Sequence, residues 1–564
     1  MFFRRENQEC PPLQGRSVLR QALLLLLVSA ATAFAAPPVS PHEETIEGKI
    51  SGERHVAGRV RVTADLLVLP GATLELAPGS ELVFEKSEST KVDPEFFFGG
   101  TELVVRGTLR ADGAKLLFPD RTGGVVVDGG NASLTDTAIS GAEAGFTLVH
   151  AGKATVEGKV TVRDCRTGVA MFPGAVNAWA GSGTVTAKGN AVGSVRFPGA
   201  PDLPPGFRVE GSEEADAIDW GGPAGPAAPD PPLPGAGARR IGDTFLDADR
   251  TLQGDVIVEG IIRVAPGVTL TILPGSRLFF TFRDTDGDGI GENGIFLQGN
   301  LRAKGTRERP IGFHPAEGNG PGRWDSINFM ASERGENVLE HVEISGAYRG
   351  LHAHFSRLEG KDVRISRCYR GVQFQESEVT LSGLSVSASS SALRCRDSNV
   401  RIEGFRVDGT ISGGNFFRSR VALRDVSIDR SGWYGFRFRE SRVNWSGGEV
   451  ARSMVGVSVQ EGPVRADAVR VAHAGLAAVA VQDGDVTLIE CRLDGSFLDG
   501  LAATRGSVAV SGGEIHGFRR HAVKLSGPAG VTLRGVALPA NGGGGVPLFL
   551  DGKTSPALGV VRVE

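Results

Sequence analysis

Two sets of side chains in this sequence have types and spacing that could do chemistry. The first is Asp284-Thr-Asp-Gly-Asp-Gly-Ile-Gly-Glu292, which sets carboxylates at alternate positions ahead of a glycine. Such spacing converges oxygens on one hard cation, as in the first half of an EF-hand loop. Asp284, Asp286 and Asp288 are the expected ligands of a structural Ca2+, with the Ile290 carbonyl and Glu292 completing the set. The twelfth position is Ile295 rather than Glu, and no flanking helices are expected, so the ion would stiffen a loop without catalysing anything.

The second set is a recurring pair of polar residues, two apart, every 21 or 22 positions. It runs His352 and His354, Gln373 and Gln375, Arg394 and Arg396, Asn415 and Phe417, Arg437 and Arg439, and becomes smaller and more neutral from Ser458 onward. No acid occurs in it. Tyr348, Tyr369 and Tyr434 lie a few residues ahead of such pairs, with Trp433 beside Tyr434. Aromatic faces stack on the apolar faces of sugars, and planar donors fork onto hydroxyls or carboxylates, so the eight His, Gln and Arg residues of these pairs, with the three tyrosines and Trp433, form a candidate glycan-binding face. An outward strand position must be polar in any case, so the ordinary reading is a solvated surface. Acids do occur at the adjoining turns, notably Glu376 and Asp397. One repeat apart, they could stand near the roughly 5 Å separation of retaining glycosidases, with Arg394 or Arg437 as a base.

What positions these residues is a repeat. Ile344, Ile365, Val386, Val407, Ile428, Val450, Val471, Leu493 and Ile515 follow one another at steps of 21 or 22. A tiny residue lies six or seven positions after each, from Gly350 to Ala522, and a third ladder runs from Leu358 to Val531. Within each unit the segments are short and alternating, broken by Gly, Ser, Asp or Asn, with no helical apolar run. The pattern predicts an all-β parallel solenoid of about three short strands per turn, with coils about 4.8 Å apart.

On this repeat, and on Trp324-Asp-Ser-Ile-Asn-Phe329 ahead of it, the chain resembles the right-handed parallel β-helix proteins of the pectin-lyase-like superfamily. The resemblance implies the fold. It also implies where polymer-acting relatives keep their catalytic groups, yet none of the N-T-D, D-D, G-H-G or R-I-K signatures of polygalacturonases lies on the polar face. Lyase relatives hold calcium through acids on that face, which this one lacks.

A leader precedes the repeats. Arg16 and Arg20 come before the apolar run Ala22 to Val28, and Ala33-Phe-Ala35 offers a small-x-small cleavage site, so residues 1–35 read as a signal peptide. The run is too short to span a bilayer, and the mature chain is expected to be exported without a transmembrane anchor, to the periplasm or beyond the cell. Pro70 to Phe84 aligns with Pro266 to Phe280 at nine identities in fifteen. The chain is therefore expected to hold two right-handed β-helices, a short one over residues 45–209 and a longer one over 241–564. The proline-rich run 221–238 would join them as a semi-rigid linker, since so many prolines cannot enter a ladder. From about Leu538 the repeat fades and a cover over the last coil is expected.

A net charge of -4 and a pI near 6.3 give no pull toward nucleic acid. Cys165, Cys368, Cys395 and Cys491 show no metal spacing and read as packing residues. Three functions remain in view: an exported protein that binds extracellular or cell-surface polysaccharide without cleaving it, a polysaccharide lyase or glycoside hydrolase, and a structural or adhesive envelope protein.

Overall fold

The computed structural model describes residues 44–85, 97–98, 100–174, 178–538, 546–550 and 560–563. The expected leader at 1–35 lies outside them. The described residues form strands and no helix. Strands between Glu44 and Asp219 pair into sheets of 14 and 6, and those from Arg239 to Val563 into one of 33. The chain is a parallel β-solenoid, the fold that the resemblance implied.

The expected ladders are the rungs. Ile344 pairs with Ile365, Ile365 with Val386 and Val386 with Val407, all in parallel register. Side chains alternate across each rung, so one file points in: Phe374, Cys395, Phe416 and Phe438 stack in successive coils and are almost wholly buried. Phe416 and Phe438 lie 5.5 Å apart as stacked rings.

From Phe355 to Arg452 each coil turns three corners, and each corner takes a residue in the left-handed region. One corner uses Phe355, Glu376, Asp397, Arg418 and Glu440; another uses Asp362, Asp425 or a glycine; the third uses Arg367, Ala388, Arg430, Arg452 or a glycine. A non-glycine residue there costs about 1–2 kcal/mol. The cost is offset because the corner N–H still reaches the next coil, as Glu376 to Arg396 O at 3.1 Å and Asp397 to Phe417 O at 3.0 Å.

The tiny residues of the second ladder have a steric cause. A Cβ on Gly435 would stand 2.2 Å from Val450 Cγ1 and 2.6 Å from the Gly456 carbonyl oxygen, so the next coil passes where a side chain would be. The four cysteines are free and buried, and burial pushes the Cys395 thiol up to about 12, which keeps it inert.

Buried apolar residues fall into two clusters, one of residues between Ile46 and Ile218 joined by Ile411, Trp433 and Met454, and one from Leu246 to Leu533. The duplicated stretches make the same turn: Ser80 N donates to Ala77 O at 3.0 Å and Ser276 N to Leu273 O at 3.1 Å. Run 221–237 contains no strand, and it is tied to the coils beside it by Asp230, 2.5 Å from Arg367. Past Leu538 two further strands are described. Val546–Leu550 pairs with His521–Leu525 and Val560–Val563 with Ala529–Arg534, so another coil is added.

Candidate functional site

The polar pairs are in register. His352 pairs with Gln373, Gln373 with Arg394, Arg394 with Asn415 and Asn415 with Arg437; His354, Gln375, Arg396, Phe417 and Arg439 form the parallel file two residues on. The ladder extends one coil before the expected start, because Asn328 pairs with His352.

The face is less open than a solvated strand. His352 and Gln373 are buried; His354, Gln375, Arg394, Arg437 and Arg439 are half-buried, and Arg396 alone of the eight His, Gln and Arg residues is exposed. Burial, then Arg349, His354 and Arg370, push the His352 imidazole down to about 2, so it stays neutral. Arg370 donates to the Gln373 side-chain oxygen, and Gln373 Nε2 lies 3.4 Å from His352 Nε2.

The arginines are the electrostatic centre. Burial, then Arg439 and Arg437, lower Arg394 to about 10; burial, then Arg437, lower Arg439 to about 10. Arg437 keeps one acceptor, Gln460 Oε1 at 3.1 Å, and Arg439 lies 4.7 Å over the Phe417 ring. The buried Nε atoms of Arg437 and Arg439, and Asn415 Oδ1, have no hydrogen-bond partner among the described residues. Like charges packed this closely destabilise one another until an anion joins them.

The aromatic residues are a correction. Tyr348 and Trp433 are buried, and Tyr369 and Tyr434 are half-buried. Trp433 packs against Phe98 at 4.8 Å and Phe172 at 5.8 Å; Arg106 lies over the Tyr369 ring at 4.1 Å, and Tyr434 packs at the edge of the same apolar cluster. These rings are where the coils of 44–220 meet those of 344–454. Lateral packing of one coil stack on another has no period, so the repeat could not announce it.

The turn acids are likewise accounted for. Glu376 and Asp397 are corner residues in left-handed conformation. Asp397 accepts from Arg418 Nε at 2.8 Å and Nη2 at 2.7 Å, and from Arg396 at 3.0 Å, which hold it below the usual carboxylate range against its desolvation. Glu376 stands 3.6 Å from His354. Asp397 therefore lacks the raised affinity for protons that a general acid needs.

Sequence reasoning missed the serines directly behind these corners. Ser356, Ser377, Ser398 and Ser419 are buried, and each accepts a bond from the backbone N–H one coil earlier while donating to the carbonyl two residues back. Their own 21-residue spacing was the available signal, and they set the corner that carries Glu376 and Asp397.

At the acid loop, carboxylate oxygens of Asp284, Asp286 and Asp288 lie within 4.8 Å of one another. The loop N–H groups of Asp288 and Gly289 donate to Asp284, and Ile290 N–H to Asp288. Glu292 stands apart: it accepts from Thr285 N at 2.8 Å and faces Arg283 at 3.5 Å. Lys49, from the first coils, reaches Asp288 at 2.8 Å and Asp286 at 3.6 Å. The three aspartates therefore suit a cation, and an ammonium meets part of that charge.

No family model matches this chain, and no curated protein does. Among solved structures it is similar to the periplasmic alginate epimerase AlgG, at 10% identity and a TM-score of 0.26 over 55% of this chain and 76% of that one. It is also similar to the catalytic domain of a GH87 alpha-1,3-glucanase (D1069A) in complex with nigerose, at 10% identity and a TM-score of 0.22 over 58% and 63%. No helix among the described residues is long and apolar enough to cross a membrane.

Proposed function

We propose that the face from His352 to Arg439 binds an anionic polysaccharide of the cell surface or extracellular space, and does not cleave its chain. The carrying observation is the cluster of Arg394, Arg437 and Arg439, where burial and then the neighbouring guanidinium charge lower Arg394 and Arg439 to about 10 while the Nε–H groups of Arg437 and Arg439 have no hydrogen-bond partner among the described residues. A uronate or sulfate group would neutralise that charge and accept those bonds. Coils about 4.8 Å apart offer repeated donors along one direction, which suits a polymer better than a small anion. Cleavage by a carboxylate pair would require free acids beside this face, and Asp397, at the adjoining turn, is engaged by two arginines.

The reading includes export through the segment 1–35 and two β-helices joined by the run 221–238, with Asp284, Asp286 and Asp288 holding a structural Ca2+. The test is calorimetric titration of the full chain with polyuronate, sulfated and neutral glycans at low and high salt. Salt-sensitive binding of the anionic polymers, lost in the Arg394→Gln/Arg437→Gln variant, is expected. Binding that the double variant leaves unchanged overturns the assignment. Failure to bind any glycan favours an envelope protein whose partner is another protein, and new reducing or unsaturated ends would favour a lyase or hydrolase.

A further inference from the structure

We propose that Ser390, His150 and Asp128 form a catalytic triad that hydrolyses esters of short, uncharged carboxylic acids. Asp128 and His150 belong to the first coils and Ser390 follows a corner of the later ones, 240 residues from His150. His150 Nδ1 lies 2.5 Å from Asp128 Oδ1, and its Nε2 lies 3.4 Å from Ser390 Oγ. A proton on Nδ1, held by the carboxylate, leaves the Nε2 lone pair facing the serine hydroxyl, which is the tautomer a general base needs. A separation of 3.4 Å is within the slack of a site without substrate.

The third member is built for its task. Asp128 is buried and also accepts from Arg106 Nε at 2.8 Å. Its burial would raise its pKa, but Arg106 and His150 outweigh this and hold it well below the usual range, so it stays an anion opposite the imidazole. Arg106 is in turn stacked over Tyr369 at 4.1 Å, which fixes the carboxylate from behind.

A cavity of about 350 Å3 opens beside the imidazole, with His150, Ser389 and Arg430 in its wall. Phe172, Phe197 and Ile411 make the rest largely apolar. That volume is at the small end for ligand sites and admits a short acyl group with part of its alcohol. Arg430, whose guanidinium is engaged by Asp408 and Asp429, forms with Asp408 the charged part of that wall.

In the first step Ser390 Oγ attacks the ester carbonyl carbon while its proton passes to His150 Nε2. The C–O bond to the alcohol breaks as His150 returns that proton, leaving acyl-Ser390. Water then attacks the acyl carbon by the same route, and the carboxylic acid leaves with Ser390 restored. The chemistry is independent of the polymer face and uses none of its residues.

The experiment treats the full chain with a fluorophosphonate and maps adducts by mass spectrometry, alongside p-nitrophenyl acetate hydrolysis. The expected result is an adduct on Ser390, formed at least about tenfold more slowly in His150→Gln, and a fall in turnover of at least about 10⁴-fold in Ser390→Ala, as for loss of a triad member. Ser390→Ala removes one oxygen atom and leaves the strands intact, and Ser391→Ala serves as the control that retains activity. Absence of an adduct on Ser390, equal labelling in His150→Gln, or unchanged hydrolysis in Ser390→Ala overturns the proposal.

Discussion

Replacing Arg394 with Gln should stabilise the folded chain at neutral pH while weakening its hold on an anionic polymer. In the native coil the guanidinium pKa is lowered from its ordinary value to about 10, through burial and then the charges of Arg439 and Arg437. A base whose folded pKa lies below its unfolded value destabilises the fold wherever it is protonated in both states. The penalty is therefore whole below about pH 10 and is relieved only as pH rises toward 12.5. At about 1.36 kcal/mol per unit the ceiling is ~3 kcal/mol, and solvent reaching a half-buried side chain reduces this to ~1–2 kcal/mol. Glutamine keeps the amide pattern of Gln373 one coil earlier, and the shorter stem forfeits ~0.5–1 kcal/mol of packing. The net expectation at low salt is a gain of ~0.5–1 kcal/mol in urea unfolding. It should shrink in about 1 M NaCl, where the Debye length is only ~3 Å. Arg396→Gln, which loses the contact with Asp397, should show no gain. If Arg394→Gln proved less stable than the parent by more than ~1 kcal/mol, the cluster would be a satisfied structural network and the case for an anion site would fall.

Acid should weaken the fold through His314, whose imidazole is buried against Ser345 Oγ at 2.8 Å and held down to about 4 by burial and Arg277. The unfolded chain takes up this proton first, so stability present above about pH 6.5 is lost as pH falls toward 4, by up to ~3 kcal/mol. His314→Gln should flatten that part of the melting-temperature profile, and an unchanged slope would assign acid sensitivity elsewhere. Phe416→Ala opens a hole between Phe436 and Phe438 and should cost ~3–5 kcal/mol in denaturant unfolding, whereas a loss below ~1 kcal/mol would contradict the stacked core. Millimolar Ca2+ should raise the melting temperature of the parent chain relative to EGTA but not that of Asp288→Asn; equal curves for the parent in Ca2+ and EGTA would remove the ion from the acid loop.

The solenoid was legible because a coil is a local, repeating solution. Each rung must place an apolar residue inward above the last, and each close crossing must be tiny, so Ile344, Gly435 and Phe438 occur in phase with their neighbours. Outward positions follow from the same alternation, so the order of His352, Gln373, Arg394 and Arg437 along one file could be read without coordinates. The left-handed corners at Glu376 and Asp397 were harder, since Arg, Ala, His and Phe also occupy corners and no single residue type marks them.

By itself, then, the sequence determined the coil, its register and the polar file, all of which depend on neighbours one period away. The tertiary structure alone decided what lies across from each coil. Lys49 meets Asp288, Arg106 covers Tyr369, Phe98 packs on Trp433, and His150 faces Ser390. These contacts join residues hundreds of positions apart on sides of the coils where packing imposes no repeat. Side-by-side contact needs complementarity at only a few points, and such points leave no period in the chain.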